Sequence, residues 1–186
     1  MNNKTYRLTV TAIMAALCYV VFTLIRIDVP TPVGTTSFHL GNVFCVLAAL
    51  LIDGPAGGIA GAIGMGIGDL FSAIYVITVP KTIFLKFFIG YITGYVAHNI
   101  FHIKEETDKQ LFKHTLISAS AGMAFNIIGE PIVSYFYYDV ILSNAEKALS
   151  YLNITKWITT SVNGVLTIII ATLIYIAIPS QLRNKQ

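Results

Sequence analysis

The chain has 186 residues, of which 55% are hydrophobic and 11% charged, with mean hydropathy +0.73 and a formal net charge of +3. Soluble domains carry about 25% charged residues, so a fully water-exposed surface is excluded and lipid is the expected solvent. The small positive balance does not argue for a nucleic-acid partner, and no polar linker divides residues 1–186, which read as one membrane domain.

Crossing the hydrocarbon core takes roughly 20 apolar residues, fewer where neighbouring helices shelter a short one. Six candidates follow in order: Leu8–Ile25, Leu40–Ile52, Ala56–Ile74, Thr82–Phe101, Leu116–Phe136 and Ile154–Ile178. The expected fold is therefore an all-α integral membrane protein with six transmembrane helices. The first run follows Lys4 and Arg7. It exceeds a usual signal-peptide core and has no small-x-small cleavage site, so it reads as a span. Cys18 and Cys45 lie in apolar runs without metal-ligand spacing and read as small buried hydrophobes. His39 and Asn42 open the short second run, and "DGP", Asp53–Pro55, closes it as a tight turn.

The third run contains "GAIGMGIGDL", residues 61–70. Gly57, Gly61 and Met65 form one helical stripe, Gly64 and Gly68 a second, and Gly54, Gly58, Ala62 and Gly66 a third. Such a helix is small on nearly every side and suits close packing, and Asp69 ends it. In the fourth run Thr82, Lys86, Gly90 and Gly94 recur every four residues, preceded by Lys81, and so share one face. The fifth aligns Ser118, Gly122, Asn126, Glu130 and Ser134; the sixth has Thr160, Asn163, Gly164 and Thr167 along a related face.

With the N-terminus inside, the inner segments hold Lys4, Arg7, Lys104, Lys109, Lys113, Arg183 and Lys185. The outer margins hold Arg26, Lys81, Lys86, Lys147 and Lys156. Lys and Arg favour the cytoplasmic side, so both termini are expected to be cytoplasmic in a multi-pass protein. Tyr135, Phe136, Tyr137, Tyr138, Tyr151 and Trp157 gather at the outer edge as an interfacial belt. At a rise of about 1.5 Å per residue, Glu130 lies roughly 9 Å below the outer end of its span. Asn126 lies deeper; Asp69, His39, Asn42, Lys81, Lys86 and Asn163 fall in the same outer half. The inner halves are nearly pure Leu, Ile, Val, Ala and Gly. Ionisable residues within a membrane face a partner or a cavity, and a pocket open to the outside explains the asymmetry. The alternative is purely structural pairing, Glu130 with Lys86 and Asp69 with Lys81.

Enzymatic readings fare poorly. "GIGD", residues 66–69, matches an element of intramembrane aspartyl proteases, which need two aspartates sharing a proton. The companion "YD", Tyr138–Asp139, stands in the wrong order and beyond its span. No Gly-Lys-Ser/Thr ends the glycine run as a P-loop requires. No Ser-His-Asp, HExxH or Cys-His set is present, so neither catalytic nor metal-binding residues are expected.

The stretch "TPVGTTSFHLGNVFCVLAALLIDGPAGGIAGAIGMGIGDL", Thr31–Leu70, together with the short second helix and Ala12 and Ala16 in "AIMAA", resembles the substrate-binding S components of energy-coupling factor (ECF) vitamin transporters. The resemblance implies a transmembrane substrate-binding domain over residues 1–186 in a bacterial cell membrane. It implies capture of a vitamin or its precursor from outside by the outer helix halves and the loops after spans one, three and five. It implies a transmembrane coupling protein, the T component, docked on the Ala12/Ala16 patch. It implies two cytoplasmic ATPases that use ATP and Mg, with the chain itself a binding subunit that carries no cofactor and is no enzyme. The subfamily resembles those assigned to pantothenate, to hydroxymethylpyrimidine or pyridoxine, and more distantly to riboflavin. Pantothenate leads, since Lys81, Lys86 or Arg26 suits its carboxylate and Asn126, Asn163 and His39 its hydroxyls and amide. A neutral aromatic ligand would use Glu130 and Asn126 at its edges and Tyr137 or Trp157 for stacking. A stand-alone secondary transporter is the competing class, although no internal repeat or inner polar track supports it.

Overall fold

The computed structural model describes residues 3–31, 34–106 and 108–183 and is 82% helical, in keeping with the all-α class. Helix α1 spans Asn3–Leu24, α2 Gly41–Leu51, α3 Gly54–Leu70, α4 Val79–Tyr95, α5 Asp108–Phe136, α6 Ala145–Ser150, α7 Ile154–Ala177 and α8 Ser180–Arg183. An antiparallel hairpin of β1, Arg26–Pro30, and β2, Thr35–His39, follows α1, with Arg26 opposite His39 and Pro30 opposite Thr35. Neither the hairpin nor α6 and α8 is among the expected elements. Residues 26–30 and 35–39 form strands because "RIDVP" and "TTSFH" place β-branched residues on either side of a turn that includes Gly34 at φ 93°.

Helices form at all six expected positions. By length and composition, four segments can cross a membrane: Lys4–Leu24, Val76–Ile100, Gln110–Ile141 and Ile154–Ala177. Helix α2, with 11 residues, measures about 16 Å, and α3, with 17, about 26 Å, against a core of about 30 Å. The third helix also stops at Leu70 rather than Ile74, because the chain turns at Phe71–Tyr75 with Ser72 donating to the Asp69 carbonyl at 3.0 Å.

Helix α3 starts where Asp53 accepts from the Ala56 amide at 2.9 Å with Pro55 in the first turn. It then packs against α1, α2 and α4. A Cβ on Gly58 would lie 2.6 Å from the Phe87 carbonyl oxygen, and one on Gly54 2.6 Å from that of Tyr91. A Cβ on Gly90 would collide with the backbone of Gly57 and Gly58. The α3–α4 contact is thus backbone against backbone. The helix is not small on every side, however: Ile59, Ile63 and Ile67 form an exposed stripe at helical spacing. The remaining core joins α2, α5 and α7 through Val46, Leu50, Ala119, Met123, Ala171 and Tyr175.

Contacts between connecting segments define two poles. At one, Arg7 pairs with Asp53 and the Lys104 amine donates to the Ile52 carbonyl. At the other, the Tyr75 hydroxyl donates to Asp28 at 3.2 Å and the Tyr137 hydroxyl to the Ile77 carbonyl at 2.7 Å. The hairpin, the α3–α4 turn and the α5–α7 connection therefore share one pole. Away from that pole the interior is not free of polar side chains, contrary to expectation. Those buried there are largely hydroxyls, of Thr93, Thr115, Ser118, Thr167 and Thr172.

Substituting Gly90→Ala is expected to separate α3 from α4 and lower the thermal unfolding midpoint in detergent by several degrees. Gly129→Ala, whose Cβ meets Leu85 Cδ2 at 3.5 Å, should hold or raise it, since Ala exceeds Gly in helix propensity by about 1 kcal/mol. Equal behaviour of the two variants would show that close backbone contact does not limit stability.

Candidate functional site

At the hairpin pole a cavity of about 100 Å³ lies between the helices. Helices supply Phe22, Asn42, Asp69, Lys81, Thr82, Lys86, Asn126, Glu130, Lys156, Thr160 and Asn163 to its wall. The hairpin adds Thr35, Thr36, Ser37 and His39; the two connections add Tyr75, Thr78 and Tyr151. Of the expected site residues, His39, Asn42, Asp69, Lys81, Lys86, Asn126, Glu130 and Asn163 meet here. Tyr137 does not: it is partly exposed and spends its hydroxyl on Ile77. Trp157 does not either. It lines a small adjoining cleft with Glu130, Pro131, Tyr151, Lys156 and Thr160. Helical spacing explains both, since each points about 100° away from a neighbouring residue of its helix.

The charges pair differently from the expected structural pairs. Lys81 Nζ donates to Glu130 Oε1 at 2.6 Å and to Ser134 Oγ at 2.8 Å, and lies 4.7 Å from the Tyr151 ring centre. Breaking one partner of such a buried pair costs about 3–5 kcal/mol. Asp69 sits at the C-terminal end of α3, where the helix dipole disfavours a carboxylate. Its Oδ2 accepts from Thr82 at 2.6 Å and Thr78 at 3.2 Å instead of from Lys81. Lys156 donates to Ser150 at 2.9 Å and caps the Tyr151 ring at 3.7 Å. Lys86, 7% exposed, forms no ion pair within 4.0 Å among the described residues.

Asn163 ties the hairpin to α7. Its Oδ1 accepts from the His39 amide at 3.2 Å and its Nδ2 donates to the Ser37 carbonyl at 2.9 Å. His39 does not cap α2, whose N-cap is Leu40 with no side-chain bond. Its ring meets Phe22 edge-on at 4.8 Å. Burial first, and then the Lys86 charge, pushes the His39 imidazole down to about 3, so the ring is neutral.

Several cavity atoms are buried without a hydrogen-bond partner: His39 Nδ1, both amide atoms of Asn42, Asp69 Oδ1 and Asn126 Oδ1. Unpaired buried polar groups are rare and costly; these line one space, while others, including the hydroxyls of Thr93, Thr115, Thr167 and Thr172, lie away from it. The aromatic walls, by contrast, are occupied. Tyr138 stacks on Tyr151 at 5.2 Å, and Arg26 lies 4.8 Å from the Tyr75 ring and 5.5 Å from that of Phe22. Sequence spacing along helices could not reveal the hairpin hydroxyls, Tyr75, Thr78 or Tyr151, which come from connections folded over the bundle. No group of three or more potential metal ligands occurs among the described residues.

The family model for the S component of the ECF-type riboflavin transporter matches residues 2–180. The chain belongs to this family. It is thereby a transporter's binding subunit rather than an enzyme, and a membrane protein. The match identifies neither a pantothenate nor a hydroxymethylpyrimidine subfamily. A comparison with curated proteins gives no match.

Asn163→Leu is expected to speed hydrogen exchange at the His39 amide by at least tenfold, without comparable change in α3. Unchanged exchange would mean that Asn163 does not anchor the hairpin. A pH dependence follows from His39. Its folded value lies below the ordinary 6.5, so the stability it contributes is complete above about 6.5 and declines as pH falls toward 3. Over pH 6.5 to 4, the loss of thermal midpoint should be shallower in His39→Asn than in the unaltered chain; matching slopes would contradict this.

Proposed function

We propose that this S component captures pantothenate for an ECF vitamin transporter. The observation that carries the reading is the set of unpartnered polar atoms around one small cavity. Asn42, Asp69 and Asn126 each leave a buried oxygen free to accept, and Lys86 leaves a buried cation without a carboxylate. The best complement is a compact ligand with several donors and one anionic end. Pantothenate has two hydroxyls, an amide N–H and a carboxylate. On this reading His39, Asn42, Asp69, Lys81, Lys86, Asn126, Glu130 and Asn163 form or support the binding site.

The cavity is small, about 100 Å³. That volume favours a small acyclic molecule, and the occupied faces of Phe22, Tyr75 and Tyr151 offer no platform for a flat ring. Riboflavin is the second reading, favoured by the family match over residues 2–180. It requires the hairpin and the α6 connection to open around a larger ring system. Pyridoxine or hydroxymethylpyrimidine would need a stacking residue in place of Tyr137 and Trp157, which lie off the cavity.

In this account α2 and α3 cross the bilayer sheltered by their neighbours, giving six spans with both termini cytoplasmic and the cavity facing outward. Ala12 and Ala16 are exposed on α1 and offer a small-residue face to the T component. Two cytoplasmic ATPases, using ATP and Mg, drive the cycle in a bacterial cell membrane.

Calorimetry on the purified chain should give saturable binding of pantothenate, and none with pyridoxine, hydroxymethylpyrimidine or riboflavin at equal concentration. Binding of any of the other three without pantothenate sinks the ligand assignment. Affinity purification should recover a coupling subunit and an ATPase pair; ion-driven uptake by the chain alone in liposomes would point to a secondary transporter.

A further inference from the structure

We infer that Lys86 reads the ligand's carboxylate, whereas Lys81, five residues earlier on α4, is a fixed strut. This deepens, and rests on, the reading of the cavity as a pantothenate site. The wall holds three lysines, Lys81, Lys86 and Lys156, against two carboxylates, Asp69 and Glu130. The lysines are not equivalent. Lys81 is neutralised by Glu130 at 2.6 Å, and its remaining donors meet Ser134 and the Tyr151 ring. Lys156 is spent on Ser150 and the same ring.

Lys86 is the surplus charge. It lines the cavity, is 7% exposed, and makes neither an ion pair within 4.0 Å nor a side-chain hydrogen bond among the described residues. Neither carboxylate lies within 4.0 Å of its Nζ. Glu130 Oε1 is engaged by Lys81 and Ser134, and Asp69 Oδ2 by Thr82 and Thr78. A buried ammonium with no anion is costly. A monoanionic ligand removes that cost, and a neutral one does not. Lys86 therefore selects for charge, while the free oxygens of Asn42, Asp69 and Asn126 accept from hydroxyl or amide donors.

The test uses the purified full chain, with pantothenate and its alcohol analogue panthenol as probes. The two differ at the carboxylate. The unaltered chain should bind pantothenate roughly 10- to 100-fold more tightly than panthenol, as expected for a hydrogen bond to a charged group. Lys86→Met should bind the two alike. Ligand-free unfolding supplies an independent arm. Lys86→Met should unfold at the same or a higher temperature than the unaltered chain, because it removes an uncompensated charge. Lys81→Met should unfold at a lower one, because it strands Glu130. The inference is overturned if Lys86→Met lowers the midpoint as Lys81→Met does, if it keeps the carboxylate preference, or if the unaltered chain has no preference. Should the unaltered chain bind neither probe, the pantothenate reading falls, and the ligand-free midpoints still decide whether Lys86 is a surplus charge or a structural partner.

Discussion

The close approach of α3 and α4 sets the rest of the structure. Their backbones meet at Gly57, Gly58 and Gly90, and again at Gly54 and Tyr91, with no side chain between them. That contact brings the C-terminal end of α3 beside the first turns of α4. Asp69 then reaches Thr78 and Thr82, and the first two turns of α4 carry Lys81 and Lys86 into the same space. Bulkier residues would keep the helices farther apart and leave these polar groups stranded in an apolar bundle. Spending so many glycines on a helix forfeits helix propensity; packing against α1, α2 and α4 offsets the loss.

Polar groups in such an interior divide into those that hold the protein together and those left for something else. The Lys81–Glu130–Ser134 set joins α4 to α5, the Asp69–Thr82–Thr78 set joins α3 to α4, and Asn163 joins α7 to the hairpin. These sets are held at normal hydrogen-bond distances. Beside them lie the unpartnered atoms of His39, Asn42, Asp69 and Asn126, together with Lys86, which lines the same cavity without an ion pair within 4.0 Å among the described residues. The chain belongs to the S-component family, and on the proposed reading the second group is what a ligand would satisfy.

Much of this arrangement is legible in the sequence. The i, i+4 rows of small and polar residues place Lys86, Asn126, Glu130 and Asn163 on inward faces, and the resemblance carried by Thr31–Leu70 points to the transporter class. Pairings are less legible. Periodicity sets Glu130 with Lys86, but the pair forms with Lys81, because which lysine meets α5 depends on how the two helices cross. Tyr137 and Trp157 fall off the cavity for a related reason. Aromatic residues at the end of a span look alike in sequence whether they face a cavity, a cleft or lipid. The hairpin escapes a sequence reading because its alternation is short and its stabilisation comes partly from Asn163, more than a hundred residues away.

The sequence by itself determined the solvent, the six principal helices and the end at which buried charge gathers, because hydropathy and the 3.6-residue period are local properties of the chain. Tertiary structure alone decided which lysine is neutralised and which is not, where the aromatic faces are spent, and how the connections cover the cavity. Those outcomes depend on helix crossing and on contacts between residues far apart in the chain, which no local pattern encodes.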